Sequence, residues 1–154
     1  MLAHHRKSVC LSLLSTDLPI LASLESAATI YQKDRERFHL LLSQPFGAES
    51  TDDCHQSSRQ QLLWLELSPY RVLMTMQENG RLGYRHFWEE GIYGSSRYWL
   101  HSYAEDSSSF RLRNFTRSLK LQGNPFPQNL RLDYELWSDQ VQLGHYVLHL
   151  EIHQ

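Results

Sequence analysis

The chain has 154 residues, of which 41% are apolar and 21% charged, and its formal net charge is −2. That length supports one domain with a sizeable core, so neither a disulfide framework nor a structural metal is required. A near-neutral balance excludes a whole-molecule field that would recruit nucleic acid or a membrane surface, and nucleic acid is not expected as a partner. The charge is uneven along the chain. Residues 68–131 carry nine Lys or Arg against five acids, whereas residues 132–154 carry four acids and no Lys or Arg. Cys10 and Cys54 are far apart and form no C-x-x-C, which points to a reducing compartment and a cytoplasmic location. The apolar run at 9–14 is too short for a signal peptide, and nothing approaches the roughly 18 apolar residues of a membrane-spanning helix.

In chain order, the first predicted element is a helix at about 18–43. Asp17 precedes Leu18 and Pro19 as an N-cap, and Leu21, Leu24, Ala28, Tyr31, Phe38 and Leu42 recur at spacings of three, four or seven. Lys33 to Arg37 falls mostly on the opposite face, and Pro45 and Gly47 end the helix. Residues 47–59 are polar, without apolar periodicity, and read as a linker. From residue 61 the apolar period becomes two. Strands are predicted at 61–67, 70–77, 81–88, 97–104, 110–121, 130–137 and 140–152, separated by short turns that leave no room for crossover helices. The predicted fold is therefore α+β: an N-terminal helix packed on a curled antiparallel sheet or barrel of about seven strands, in a single domain.

Two registers follow from hydrophobic rows. A three-residue turn with Gly80 in a left-handed bulge would pair Met74 with Tyr84 and bring their rows to one face. A bulge at Gly144-His145 would restore one core face across the last two strands.

The strand face opposite the core is rich in arginine and aromatic residues: Arg71, Arg85, Arg97, Trp99, His101, Arg111 and Arg113. Guanidinium forks suit carboxylate or phosphate, and aromatic rings add stacking surface. The same mixture also describes a solvated face on which arginine stems lie over rings. Phe126, held between Pro125 and Pro127, either anchors a partner or caps the sheet end. His149, Glu151 and His153 alternate on the last strand as weak metal candidates, although strand spacing of about 7 Å is wide for one tetrahedral ion. No G-x-S-x-G, P-loop, Rossmann, H-E-x-x-H or zinc-finger pattern occurs, so no catalytic residue or cofactor is assigned and the reading leans away from an enzyme.

A barrel-like antiparallel sheet with an N-terminal helix resembles small ligand carriers of the lipocalin kind in layout, a likeness that carries over no residues. The expected function is a non-catalytic accessory protein that binds a protein partner through its sheet surface and loops. The alternative is a carrier or chaperone of a small anionic aromatic ligand, and an enzyme with an unrecognised site comes third.

Overall fold

The computed structural model describes residues 4–16, 21–46, 59–100 and 108–153. They form ten strands: β1 (His4–Ser15), β2 (Leu21–Gln32), β3 (Phe38–Phe46), β4 (Arg59–Leu67), β5 (Arg71–Glu78), β6 (Arg81–Glu89), β7 (Tyr93–Leu100), β8 (Ser108–Gln122), β9 (Asn129–Ser138) and β10 (Val141–His153). Each strand pairs antiparallel with its sequence neighbours, and β1 pairs with β10 to close the barrel. No helix is present among the described residues, so none is long and apolar enough to cross a membrane.

The expected helix at 18–43 and the count of seven strands are thus corrected: the fold is all-β, with three further strands before residue 47. The physical reason lies in which apolar residues are buried. Val9 and Leu11 in β1, Ala28 and Ile30 in β2, and Phe38, Leu40 and Leu42 in β3 alternate at period two and are all buried. Ile30 is only 1% exposed, yet it stands off the helical stripe drawn through Ala28 and Tyr31. The charged run 33–37 is the β2–β3 turn. There the Asp34 carboxylate accepts the backbone N–H groups of Glu36 and Arg37, each at 2.9 Å, and pairs with the Arg37 guanidinium at 2.5 Å. These bonds hold the Asp34 carboxyl below its usual range, the Glu36 N–H contributing most. Of the expected linker at 47–59, residues 47–58 lie outside the described residues, and Arg59 already belongs to β4.

The β5–β6 hairpin reaches the expected face by a different route. Asn79 and Gly80 both have positive φ, 52° and 77°, and make a two-residue turn with Glu78 opposite Arg81. The extra residue sits further along at Gly83, so Met76 faces Tyr84 and Met74 faces His86. Both apolar rows point inward, as required, because the bulge restores parity three residues later than expected. In β10 the bulge falls between Gln142 and Gly144, one step before the expected place.

The core is asymmetric around the wall. β1 to β5 contribute Val9, Leu11, Ala28, Ile30, Phe38, Leu40, Leu42, Leu63, Leu65, Leu67, Val72 and Met74, and β9 and β10 close the circle with further leucines. Among the described side chains, β7 contributes no buried hydrophobic residue; its described inward positions are Gly94, Ser96 and Tyr98. Near Gly94 the backbones crowd. A Cβ there would lie 2.0 Å from the Phe87 carbonyl oxygen, whereas a Cβ at Gly83 would meet only the flexible tip of Met76. Gly94→Ala is therefore expected to cost about 2–3 kcal/mol, at the upper end of overpacking, and Gly83→Ala about 1 kcal/mol. Urea unfolding midpoints of the two variants measure the difference; equal shifts would contradict it.

Candidate functional site

The inward positions of β6, β7 and β8 break the apolar rule. His86, Ser96, Asn114 and Thr116 are polar and at most 5% exposed. They are joined in a chain. The Asn114 amide nitrogen donates to the Phe87 carbonyl at 3.1 Å and to the Ser96 hydroxyl oxygen at 2.8 Å. The Ser96 hydroxyl lies 2.8 Å from Nδ1 of His86. A carbonyl only accepts, so the Asn114 group facing it is the NH2, and Ser96 accepts from the same nitrogen. The buried serine proton is then satisfied by His86 Nδ1, which leaves the imidazole proton on Nε2. Burial lowers the His86 pKa from 6.5 to about 4, so the ring is neutral at neutral pH.

Aromatic rings surround this chain. His86 stacks on Trp88 at 4.8 Å and 8°, and meets the edge of Tyr98 at 5.3 Å. Tyr84 lies 5.1 Å from His86, and Tyr98 stacks on Phe110 at 5.1 Å. Trp88 reaches Tyr134 of β9 at 5.1 Å, and Tyr134 stacks on Tyr146 of β10 at 5.6 Å. The four phenols converge. Desolvation first, then mutual repulsion of their ionised forms, raises Tyr98 to about 12 and raises Tyr134 further. Burial alone raises Tyr84. The chemical result is an interior wall of neutral donors and acceptors on a hydrophobic frame. Three of its buried polar atoms, Trp88 Nε1, Asn114 Oδ1 and Thr116 Oγ1, have no hydrogen-bond partner.

Direction along the barrel distinguishes the two ends. In an antiparallel circle, the C-terminal ends of odd strands and the N-terminal ends of even strands share one rim. That rim carries the Asn79-Gly80 and Asp139-Gln140 turns. Tyr84, Tyr98 and Tyr146 point inward near it and are only part-buried, while Trp88, deeper, is fully buried. Leu14, Phe110, Val141 and Leu143 stand exposed on the same rim. The opposite end is covered by Phe126, whose ring lies 4.8 Å from His5 and 6.2 Å from Phe38.

The arginine-aromatic residues lie on the outer face. Arg85, Arg97 and Arg111 are direct register partners on β6, β7 and β8, forming one cross-strand row. Arg85 donates to the Thr75 hydroxyl at 3.3 Å. Arg97 lies 5.0 Å over the Trp99 ring and donates to the Ser109 hydroxyl at 3.1 Å. Arg113 lies over Tyr93 and donates to the Asp139 carbonyl at 2.6 Å. Arg71 sits apart, over Phe87 and 3.6 Å from Glu89. His101 lies outside the described residues. His149, Glu151 and His153 are brought together on the outer face of β10, with Glu151 3.8 Å and 3.9 Å from the two rings, and His149 also meets Asn129 at 2.6 Å. Among the described residues no group of three or more His, Cys, Asp or Glu has a metal-binding arrangement.

Sequence reasoning placed Tyr84 in an apolar row with Met74 but assigned no role to His86 or Trp88. The available signal was parity: His86, Ser96, Asn114 and Thr116 occupy core-facing positions, where polar side chains need partners.

The geometry defines a closed, ten-stranded, up-and-down antiparallel barrel with a polar sector inside. No protein-family model and no curated protein matches the chain. Among solved structures, the ywiB protein from Bacillus subtilis is similar in fold, with a TM-score of 0.63 at 12% identity over 98% of this chain and 94% of that one.

The neutral, buried His86 makes stability depend on pH. Its folded pKa, about 4, lies below the unfolded 6.5, so the native state binds fewer protons. The stabilisation is complete above pH 6.5 and is lost as pH falls toward 4, by about 3 kcal/mol in all. His86→Gln is expected to remove that part of the acid slope in denaturant titrations between pH 7 and 4. Parallel slopes for the two proteins would contradict it.

Proposed function

We propose that the barrel is a non-catalytic binding protein for a small molecule with an aromatic or otherwise planar body, seated at the polar sector of β6–β10. The observation that carries this reading is the Asn114–Ser96–His86 chain, which holds one neutral imidazole in a fixed tautomer among four tyrosines. Buried polar groups are destabilising unless satisfied, and three here have no protein partner. Barrel width supports the same reading. Eight strands make an interior that side chains just fill, and width grows with strand number, so ten strands enclose more. The part-buried tyrosines and exposed apolar rim give an entry side. Native mass spectrometry of protein purified without denaturation is expected to show an added mass that disappears on unfolding. Protein at its bare sequence mass, with no thermal shift from any of a panel of aromatic compounds, would end this reading.

A second reading assigns the outer face to an anionic partner. The observation favouring it is the Arg85–Arg97–Arg111 row, where like charges lie directly opposite one another on neighbouring strands, which are spaced about 4.8 Å apart, with no carboxylate ion pair to these three among the described residues. Replacing Arg97 and Arg111 with Gln is expected to lower the salt needed to elute the protein from a sulfated-polysaccharide column. An unchanged elution position would leave the row as a solvated face.

A further inference from the structure

We infer that the ligand of the barrel interior is uncharged and presents a hydrogen-bond acceptor on a planar ring system; this rests on the small-molecule reading above and narrows it. Around His86 and Trp88 the described inward positions of β6–β10 include no Lys, Arg, Asp or Glu: they are Tyr84, His86 and Trp88, then Gly94, Ser96 and Tyr98, then the alternating residues of β8 to β10 that run through Asn114, Tyr134 and Tyr146, while beyond the Gly83 bulge Leu82 turns outward opposite Gln77 and Arg81 meets Glu78 only at the rim. Apart from Arg81, opposite Glu78 beside the rim turn, the arginines of the same strands stand on the other face. In β6, Arg85 lies between Tyr84 and His86; in β7, Arg97 lies between Ser96 and Tyr98. An anion carried to the depth of His86 and Trp88 would leave water without meeting a cation on these strands, which is a highly unfavourable burial for a small ligand.

What the wall offers instead is neutral. The Ser96 hydroxyl occupies Nδ1 of His86, so the imidazole presents an N–H, not a lone pair, to the interior. The indole N–H of Trp88 is a second donor, with no partner in the protein. Phenol groups at Tyr84, Tyr98, Tyr134 and Tyr146 donate or accept, and their raised pKa values keep Tyr84, Tyr98 and Tyr134 protonated. Two groups can only donate, the His86 and Trp88 N–H, against one that can only accept, Asn114 Oδ1, while the Thr116 and tyrosine hydroxyls serve either role; the surplus donor calls for an acceptor atom on the ligand: carbonyl, ether or ring nitrogen. Around them run stacked and edge-on rings with centroids 4.8–5.6 Å apart, a surface that accepts a flat body.

A matched pair of probes tests charge alone. 6-Propionyl-2-dimethylaminonaphthalene is planar and neutral and carries one carbonyl; 6-dimethylamino-2-naphthoate keeps the ring and replaces the ketone with a carboxylate. With the full chain, the ketone is expected to bind with a blue-shifted emission, and the carboxylate at least tenfold more weakly. Tyr98→Phe keeps the ring and removes one hydroxyl; it is expected to weaken the ketone about fivefold while circular dichroism is unchanged. Lys120→Gln, on the exposed outer face of β8, is expected to leave the ketone unaffected. If the carboxylate binds as tightly as the ketone, resists 0.5 M salt and loses affinity in Tyr98→Phe, the neutral-ligand inference is overturned while the small-molecule reading stands. If neither probe binds and no panel compound shifts the melting temperature, both fall together.

Discussion

Closure of the barrel is the constraint from which the rest follows. Eight register pairs join Ser8–Ser15 of β1 to Tyr146–His153 of β10. Without them β10 and β1 would each present an unpaired edge, the exposed template through which sheets aggregate. Closure also changes what alternation means. In an open sheet a side chain faces core or solvent; in a closed circle it faces an enclosed interior or solvent. Residues that parity sends inward are committed to that interior. For His86, Ser96 and Asn114 the consequence is direct, since each must find its hydrogen-bond partners inside or remain unsatisfied.

The two sides of the interior divide the labour. The leucine-rich inner faces of β1–β5 and β9–β10 bury side chains worth roughly 1.5–3 kcal/mol each. The polar sector works against that stability: an unsatisfied buried donor or acceptor costs about 1–3 kcal/mol, and there are three. The apolar sector is large enough to carry this burden. β7 is where the sheet yields. It meets β6 through only three register pairs, beyond which the end of β6 approaches β8 and Asn114 uses its side chain to bond the Phe87 carbonyl. Gly94 makes that approach sterically possible. A side-chain amide thus replaces a missing ladder bond, and the same amide anchors the chain that orients His86.

Much of the sheet was legible in the sequence. From residue 61 the period-two pattern placed seven strands, and the glycine-marked turns placed their joints; only β7, expected at 97–104, lies four residues earlier. Its inward face of Gly94, Ser96 and Tyr98 has no apolar alternation to read. The amino-terminal third was misread because β2 is rich in alanine and serine and has aliphatic residues at both strand and helix spacings. Leu24, Ala28 and Tyr31 satisfied a helical stripe while Ala28 and Ile30 satisfied a strand. β1 and β10 decide between the two, since Val9, Leu11 and Leu13 need β2 as a neighbour on their other side. That is long-range information, invisible in a local window. The arginine row was legible from parity alone because Arg85, Arg97 and Arg111 all fall on outward positions. The inner polar site was not, because its members come from five strands whose inward neighbours are set by shear and by the bulge at Gly83.

β7 therefore has two chemistries separated by the thickness of one strand. Arg97 faces out between Ser96 and Tyr98, which face in. A period of two cannot place a guanidinium and a phenol on the same side without a bulge, and β7 has none in its pairing with β8. Positive charge is consequently confined to the outside of this sector, and neutral hydrogen-bonding groups to the inside. An anion that meets these strands is attracted to the outer row; a neutral acceptor gains most where water is excluded and hydrogen bonds are stronger. On the proposed readings, the sign of a ligand's charge determines which side of the wall it occupies, and both sides share Ser96, Arg97 and Tyr98 as consecutive residues of one strand that meets β6 through only three register pairs.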